Sequence, residues 1–368
     1  MTVATLIPNT TELYASHIPA LATLINAGWI YLPPSRVAEL RRSNREVVLK
    51  PLLYRWLQKH RFEYRGEWYP LSADGIQQVI STVTSLGLGE GLMVANQRLH
   101  EHLTLGVTVT EFMPNGQKHA VTVPLVEWND VKGNDFQVTE EFEVLSVHGT
   151  HTRRPDVVGF LNGIPVMIIE AKQAASGNPN KSMIDEGVSQ TLRNQKVDEI
   201  PLLFAYSQLV MAISLTDGRY ATTSTPAKFW MRWAEEQILE TEFEQIKNRS
   251  LSAQTKDGLF AGKKPKVREH FEALWSQPVL PTEQDRMLIS LLRPDRLLKM
   301  IRFYILFSKG IKIVARYPQF FAIEALIKQI TQFEPDGSRK GGVVWHTTGS
   351  GKSFTMVFLS QALILQEA

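Results

Sequence analysis

The chain has 368 residues, 43% hydrophobic and 21% charged, with a formal net charge of +3. That is globular composition with room for about two cores of ~150 residues each, and a charge excess too small to demand a nucleic-acid partner. It contains no cysteine, which excludes disulfide frameworks and cysteine-ligated zinc, and no apolar run reaches the ~18 residues of a membrane span. The opening MTVATLIPNTTELYASHIP lacks the basic and apolar regions of a signal peptide, so the expected compartment is cytoplasmic, with no membrane partner.

In chain order, the apolar spacing over 36–60 predicts helix at both ends, with Pro51 marking a kink or a second start. Residues 105–128 read as two strands around the turn Pro114-Asn115-Gly116, and 136–147 as one further strand. The runs DVVGFL and IPVMIIEAK flank Asn162-Gly163 as a hairpin with β-branched arms. A helix is expected at 181–196 and a buried strand within 202–215, which makes 105–215 mixed α/β. Residues 226–250 read as helices rich in Trp and Glu, with Trp230 and Trp233 as packing residues rather than base-stacking platforms. The Gly- and Lys-rich run 251–268 reads as loop or linker, and its segment Lys263 to Arg268 as a solvated stretch or a DNA contact. Helices follow at 282–309 and 319–332, then a loop, a strand VVWHT, and a helix opening near Gly351. No internal repeat is visible.

The segment from His346 to Ser353, HTTGSGKS, lies between that strand and helix. Glycines let backbone amides approach phosphates, and a helix N-terminus favours negative charge. Thr348, Gly349, Ser350 and Gly351 would cradle a nucleotide triphosphate, Lys352 would reach its β- and γ-phosphates, and Ser353 would hold Mg2+. The competing reading is an ordinary Gly-rich strand-to-helix turn. A hydrolytic motor also needs a carboxylate on a later strand, and after Ser353 the sequence holds only Glu367. The expectation is a chain that binds ATP and does not turn it over alone.

Glu170 and Lys172 end the apolar strand and share a face by alternation, while Asp156 lies on the partner arm. Two carboxylates there could hold Mg2+, and a lysine beside them could orient an attacking water. An ordinary solvated Glu–Lys pair at a strand end remains the alternative. Asp130-Val131-Lys132 has the same spacing but sits among Asn129, Gly133 and Asn134, which read as loop, without an apolar strand before it. His148 and His151 read as exposed loop residues before metal ligands. Arg153 and Arg154 either contact DNA phosphates or solvate the start of the strand.

The shared site places a condition on the hairpin. A two-residue Asn162-Gly163 turn pairs Leu161 with Ile164, and in unbroken register it would set Asp156 opposite Ile169, turned away from Glu170. Convergence therefore requires a three-residue loop or a bulge, with Asp156, Glu170 and Lys172 meeting on one solvent-accessible face.

Arg154-Pro155-Asp156-Val157-Val158, Asn162-Gly163 and Val166-Met167-Ile168-Ile169-Glu170-Ala171-Lys172 resemble the PD-(D/E)-x-K nuclease core of the restriction subunit of type I restriction-modification enzymes. Arg316-Tyr317-Pro318-Gln319 ahead of the phosphate loop resembles that family's adenine-reading segment. The resemblance implies an α/β fold: a restriction-endonuclease-like mixed-sheet domain over 1–250, a linker over 251–280, and the beginning of a RecA-like P-loop helicase domain over 281–368. It implies Asp156 and Glu170 as metal ligands, Lys172 as the catalytic lysine and Gln319 near the adenine. Gln190 matches the glutamine of a Q-x-x-x-Y motif, with Asn194 in the tyrosine position. It implies Mg2+ and ATP as cofactors, and double-stranded DNA with methyltransferase and specificity subunits as partners. The function implied is ATP-dependent translocation and cleavage of DNA. The alternatives are a repair-type helicase–nuclease and a non-catalytic DNA-docking module.

Overall fold

The computed structural model describes residues 9–174, 182–345 and 351–366. At its centre lies a six-stranded mixed sheet whose strands stand side by side in chain order: β1 (Ile30–Tyr31), β2 (Phe136–Glu140), β3 (Val157–Leu161), β4 (Ile164–Ala171), β5 (Leu209–Ser214) and β6 (Asp217–Ala221). β1 and β2 run parallel, as do β4 and β5, and the other neighbours are antiparallel. Every residue of β3, β4 and β5 is buried. A sheet covered on both faces needs apolar side chains at successive positions, which is why these strands read as continuous runs instead of alternating ones.

The β3–β4 hairpin turns on Asn162 and Gly163, both at positive φ, 54° and 86°. That pair of angles is the mark of a two-residue type I′ turn, and its twist suits the strands it joins. Asn162 is locked by its side chain, which donates to the Leu125 carbonyl and to Asn134 Oδ1 and accepts from the Asp135 amide. Beyond the turn, Gly159 is required by contact: a Cβ there would stand 2.5 Å from Met167 and 2.8 Å from the Trp29 ring.

A single π-helical turn, Leu13–His17, runs into helix α1 (Ile18–Asn26), and helix α2 (Met183–Asn194) packs on β4 and β5. The expected helices near 36–60 form at Pro34–Glu39 and Lys50–Leu57, with Pro51 in the first turn of the second. The strands around Pro114-Asn115-Gly116 pair as Val107–Phe112 with Lys118–Val123. The strand expected over 136–147 is shorter. It stops at Glu140 because Glu141 takes a φ of 48°, and Val144–Leu145 pairs separately with Thr152–Arg153.

The second half departs further from expectation. Residues 226–250 hold one short 3-10 turn and helix α3 (Glu240–Lys247), so Trp230 and Trp233 lie outside helices. Trp230 is buried, and Trp233 packs edge-on against Tyr220 and Phe320. The stretch expected as linker forms helices α4 (Ala253–Phe260) and α5 (Pro265–Leu274). Ser252 caps the first through the Thr255 amide, Pro265 opens the second, and Leu259, Phe260, Val267 and Phe271 enter the main core. The segment is therefore packed structure, and one buried apolar cluster takes in residues from Ile18 to Ala362.

Helices α6 (Glu283–Leu292) and α7 (Pro294–Phe303) follow, then a two-stranded hairpin of β7 (Ile305–Ser308) and β8 (Ile311–Val314), helix α8 (Tyr317–Ile330) and helix α9 (Lys352–Leu365). α6 docks on α1 through Asp285, which accepts from Thr23 Oγ1 at 2.6 Å and Lys247 Nζ at 2.7 Å. The strand expected at VVWHT is not formed over 343–345, where Val343 and Trp345 are exposed. Among the described residues no strand lies beside it, and a strand without a neighbour has no ladder for its backbone groups. Its last two residues lie outside the described residues, as do Thr348, Gly349 and Ser350 of the Gly-rich segment that follows. No described helix is long and apolar enough to cross a membrane.

Candidate active site

The ladder between β3 and β4 carries a bulge. Ile164 pairs with Leu161 and Pro165 with Phe160, but Met167, Ile168 and Ile169 pair with Gly159, Val158 and Val157. Val166 is the extra residue. The next step outward sets Asp156 opposite Glu170, so a two-residue turn and a shared face coexist, and the condition drawn from the sequence is met by the bulge.

The Lys172 ammonium lies 3.7 Å from Asp156 Oδ2 and 3.9 Å from Glu170 Oε2. Nζ also donates to the Ala171 carbonyl at 2.9 Å, and the Ala171 amide donates to Asp156 Oδ2 at 2.7 Å. These bonds pin the end of β4 to the start of β3. Glu170 is fully buried, and α2 supplies its partners: Gln190 Nε2 donates to Oε2 at 2.7 Å and Asn194 Nδ2 to Oε1 at 3.4 Å. The spacing of four puts both amides on one helix face. Asn194 thus takes up a contact to the same carboxylate as Gln190.

The face is not open to solvent as expected, because the N-terminal segment covers it. Glu12 Oε2 lies 3.7 Å from Lys172 Nζ, and Ser16 Oγ donates to the Lys172 carbonyl at 2.6 Å. Glu12, His17 and Asp156 each place a possible ligand atom within 4.8 Å of the others. Sequence reading missed Glu12 and His17. The available signal was slight: they are the one carboxylate and the one imidazole in the otherwise uncharged stretch 11–26. His17 is buried, and its Nε2 meets Glu140 Oε2 at 2.9 Å. Glu140 also accepts from Tyr31 and from Lys263, which removes Lys263 from the solvated stretch it was read into.

Electrostatics mark the site as crowded with negative charge. Burial, then the neighbouring Asp156 carboxylate, pushes Glu170 well above the usual carboxylate range, against the opposing pull of Lys172. The same two causes raise Glu12. Burial would also raise Glu140, but the hydrogen bond and charge of His17, with Lys263, outweigh it and hold that carboxyl at about 2. Carboxylates whose charge is costly as they stand form a donor set suited to a divalent cation.

The remaining candidates separate. Arg153 is committed to Glu199 through Nε and Nη2, both at 2.5 Å, and His151 Nε2 meets the same carboxylate at 3.0 Å. Neither is placed as a phosphate or metal ligand. His148 is exposed, and Asp130 only caps a 3-10 turn through the Lys132 amide. Arg154 is exposed and only loosely paired, 3.7 Å from Glu141. At the end of the Gly-rich segment, Gly351 adopts the left-handed conformation at the N-cap of α9, and Lys352 and Ser353 are exposed in its first turn. Gln319 is buried beside it, donating to the Gly351 carbonyl at 3.1 Å and accepting from the Arg316 amide at 2.9 Å.

Residues 9–229 match the family described as the type I restriction enzyme R protein N terminus. The chain belongs to that family. Residues 318–368 match the SWI2/SNF2 ATPase family. The chain is 29% identical to the type I restriction enzyme HindI endonuclease subunit of Haemophilus influenzae, over 80% of this chain and 25% of that protein. It is 28% identical to the SauCOLORF180P endonuclease subunit of Staphylococcus aureus, over 64% of this chain and 20% of that one. The chain spans no more than about a third of the length of the curated relatives it matches.

Proposed function

We propose that this chain is the DNA-cleaving module, with the start of the ATP-driven motor, of a type I restriction subunit. The observation that carries the reading is the Val166 bulge, which sets Asp156 opposite Glu170 with Lys172 within 4 Å of both. A bound divalent cation would supply Lewis-acid stabilisation of charge on the scissile phosphate and the leaving oxygen. Asp156 and Glu170 are the residues that would hold it. Gln190 and Asn194 fix the Glu170 carboxylate, and the Lys172 ammonium, held by the Ala171 carbonyl, is placed to orient and help deprotonate a water beside the two carboxylates. Arg154 is the exposed cation nearest in sequence for a DNA phosphate. The fold proposed is a restriction-endonuclease-like sheet followed by the first part of a RecA-like unit.

The nucleotide site proposed comprises Thr348, Gly349, Ser350, Gly351, Lys352 and Ser353, with Ser353 for Mg2+ and Gln319 beside the adenine. Double-stranded DNA and the methyltransferase and specificity subunits are the proposed partners, with action in the cytoplasm. The test is nicking of a plasmid carrying the recognition site by the complete complex. With Asp156→Asn, cleavage should fall at least ~10³-fold, the scale for loss of a group central to catalysis. Retained cleavage would remove Asp156 from the centre.

A further inference from the structure

We propose that Gly187 is a positioning residue for DNA cleavage: its lack of a side chain sets how deeply α2 docks on β5, and that depth brings Gln190 to Glu170 and leaves the channel in which the Lys172 stem lies. The proposal rests on the reading of Asp156, Glu170 and Lys172 as the cleavage centre. Gly187 is buried within α2, a helix of 12 residues. Glycine weakens a helix interior, because it has more backbone freedom to lose and no side chain to pack. Its place here therefore needs a reason, and contact supplies one. An added Cβ would stand 3.0 Å from the Ala212 Cβ, 3.4 Å from Lys172 Cγ and 3.8 Å from Lys172 Cε. Carbon atoms prefer a separation of about 3.5–4.0 Å, so the first contact is too short and the second is tight.

The sheet side of this contact cannot yield. Ala212 is fully buried in β5 and paired on both sides, with Glu170 of β4 and Arg219 of β6, so its Cβ moves only with the sheet. Lys172 is held at both ends. Its backbone amide donates to the Ile213 carbonyl, its own carbonyl accepts from Ser16 Oγ, and its Nζ donates to the Ala171 carbonyl beside the two carboxylates. Only the methylenes between have freedom to shift.

What gives way to a side chain at 187 is therefore α2 itself. Gln190 and Asn194 follow on the same face of the helix, three and seven residues on, and the Thr191 hydroxyl ties the turn by donating to the Gly187 carbonyl at 3.0 Å. A lift of about 0.5 Å would restore ordinary contact at Ala212. It would stretch the 2.7 Å bond from Gln190 to the long end of the hydrogen-bond range and break the 3.4 Å bond from Asn194. The Glu170 carboxylate would lose its orientation while α2 remained a helix on the sheet.

The test is single-turnover cleavage of plasmid DNA by the complete complex, comparing wild type, Gly187→Ala, the double variant Gly187→Ala/Ala212→Gly, and Glu170→Gln. Gly187→Ala should lower the rate constant at saturating DNA about 10-fold, part of the ~100-fold that a 1 Å misplacement costs, with the DNA concentration at half-maximal rate unchanged. The double variant removes the 3.0 Å contact and leaves only the 3.4 Å contact to the flexible Lys172 stem, so it should cut within about threefold of wild type. A role in stability alone would lower the fraction of active complex and leave the rate constant at the wild-type value, and that result overturns the proposal. A double variant that cuts as slowly as Gly187→Ala, or that fails to assemble, also overturns it. If Gly187→Ala does not assemble, the double variant decides: wild-type assembly and rate support the proposal, and their absence overturns it. Glu170→Gln keeps the two readings apart. Loss of cleavage in Glu170→Gln with a normal rate in Gly187→Ala removes the positioning role alone, whereas normal cleavage by Glu170→Gln removes the nuclease assignment.

Discussion

Asp156 stands across the hairpin from Glu170 because β4 carries one residue more than β3 requires, Val166. In unbroken register Asp156 would face Ile169, and the two carboxylates would lie on opposite sides of a buried sheet. The type I′ turn fixes the strand ends, and the bulge then resets the face without lengthening the turn. The chemistry at the end of the hairpin thus depends on Asn162 at its other end.

Asn162→Ala should destabilise the chain by about 2–4 kcal/mol. It removes three hydrogen bonds at a fully buried site and leaves an alanine at a φ of 54°. Urea unfolding measures it. Asn162→Gly keeps the backbone conformation and should lose less. A change below about 0.5 kcal/mol for the alanine variant would mean that the side chain does not set the turn.

Gln190→Ala should lower the rate of DNA cleavage by the complete complex more than Asn194→Ala. The first removes a 2.7 Å bond to Glu170 and the second a 3.4 Å one. A loss of about 10–100-fold is expected for Gln190, at the scale of partners that orient ligands, with single-turnover rates as the readout. Equal rates for wild type and both variants would show that the carboxylate needs neither amide.

Glu170→Gln should stabilise the chain in the absence of divalent cations. The Glu170 pKa is raised above its ordinary value of 4.5 on folding, so its ionised form costs stability at pH above the folded value and costs nothing below the unfolded one. The gain should be largest at pH 8 and should fall away as the pH drops below 4.5. Thermal melts in chelator across that range test it. A lower melting temperature for Glu170→Gln at pH 8 would contradict the raised pKa.

Glu199 has the opposite sign. The hydrogen bond from Arg153, with His151 adding to it against burial, holds the carboxyl at about 2. Its contribution is present above the ordinary value of 4.5 and is lost as the pH falls toward about 2. The stability difference between wild type and Glu199→Gln should be roughly 2 kcal/mol near pH 6 and shrink through that window. A difference independent of pH between 6 and 3 would rule out the ion pair as its source.

The hairpin and the face of Asp156, Glu170 and Lys172 were legible because Asn-Gly turns and β-branched arms are local signals, and because register fixes which residues can meet. Glu12 and His17 were not, since they reach Asp156 only through tertiary packing of α1 against the sheet. The helices at 253–274 were hidden by Gly262, Lys263, Lys264 and Pro265, which read as loop although Leu259, Phe260, Val267 and Phe271 pack as helix faces. Sequence also overstated access: nothing local shows that the N-terminal segment lies over Glu170 and Lys172. At 343–345 the apolar residues read as strand, but pairing depends on neighbours that local pattern does not reveal.

The most direct measurement is made on one preparation of the complete complex carrying Glu170→Gln, with DNA cleavage and ATP-driven translocation followed in parallel. The amide oxygen introduced by this substitution can still accept from Gln190, so the local structure should persist. Cleavage should fall at least ~10³-fold while translocation proceeds at the wild-type rate, because the proposed cleavage and nucleotide sites are separate. Normal cleavage by Glu170→Gln would contradict the assignment of Asp156, Glu170 and Lys172 as the centre that cuts DNA.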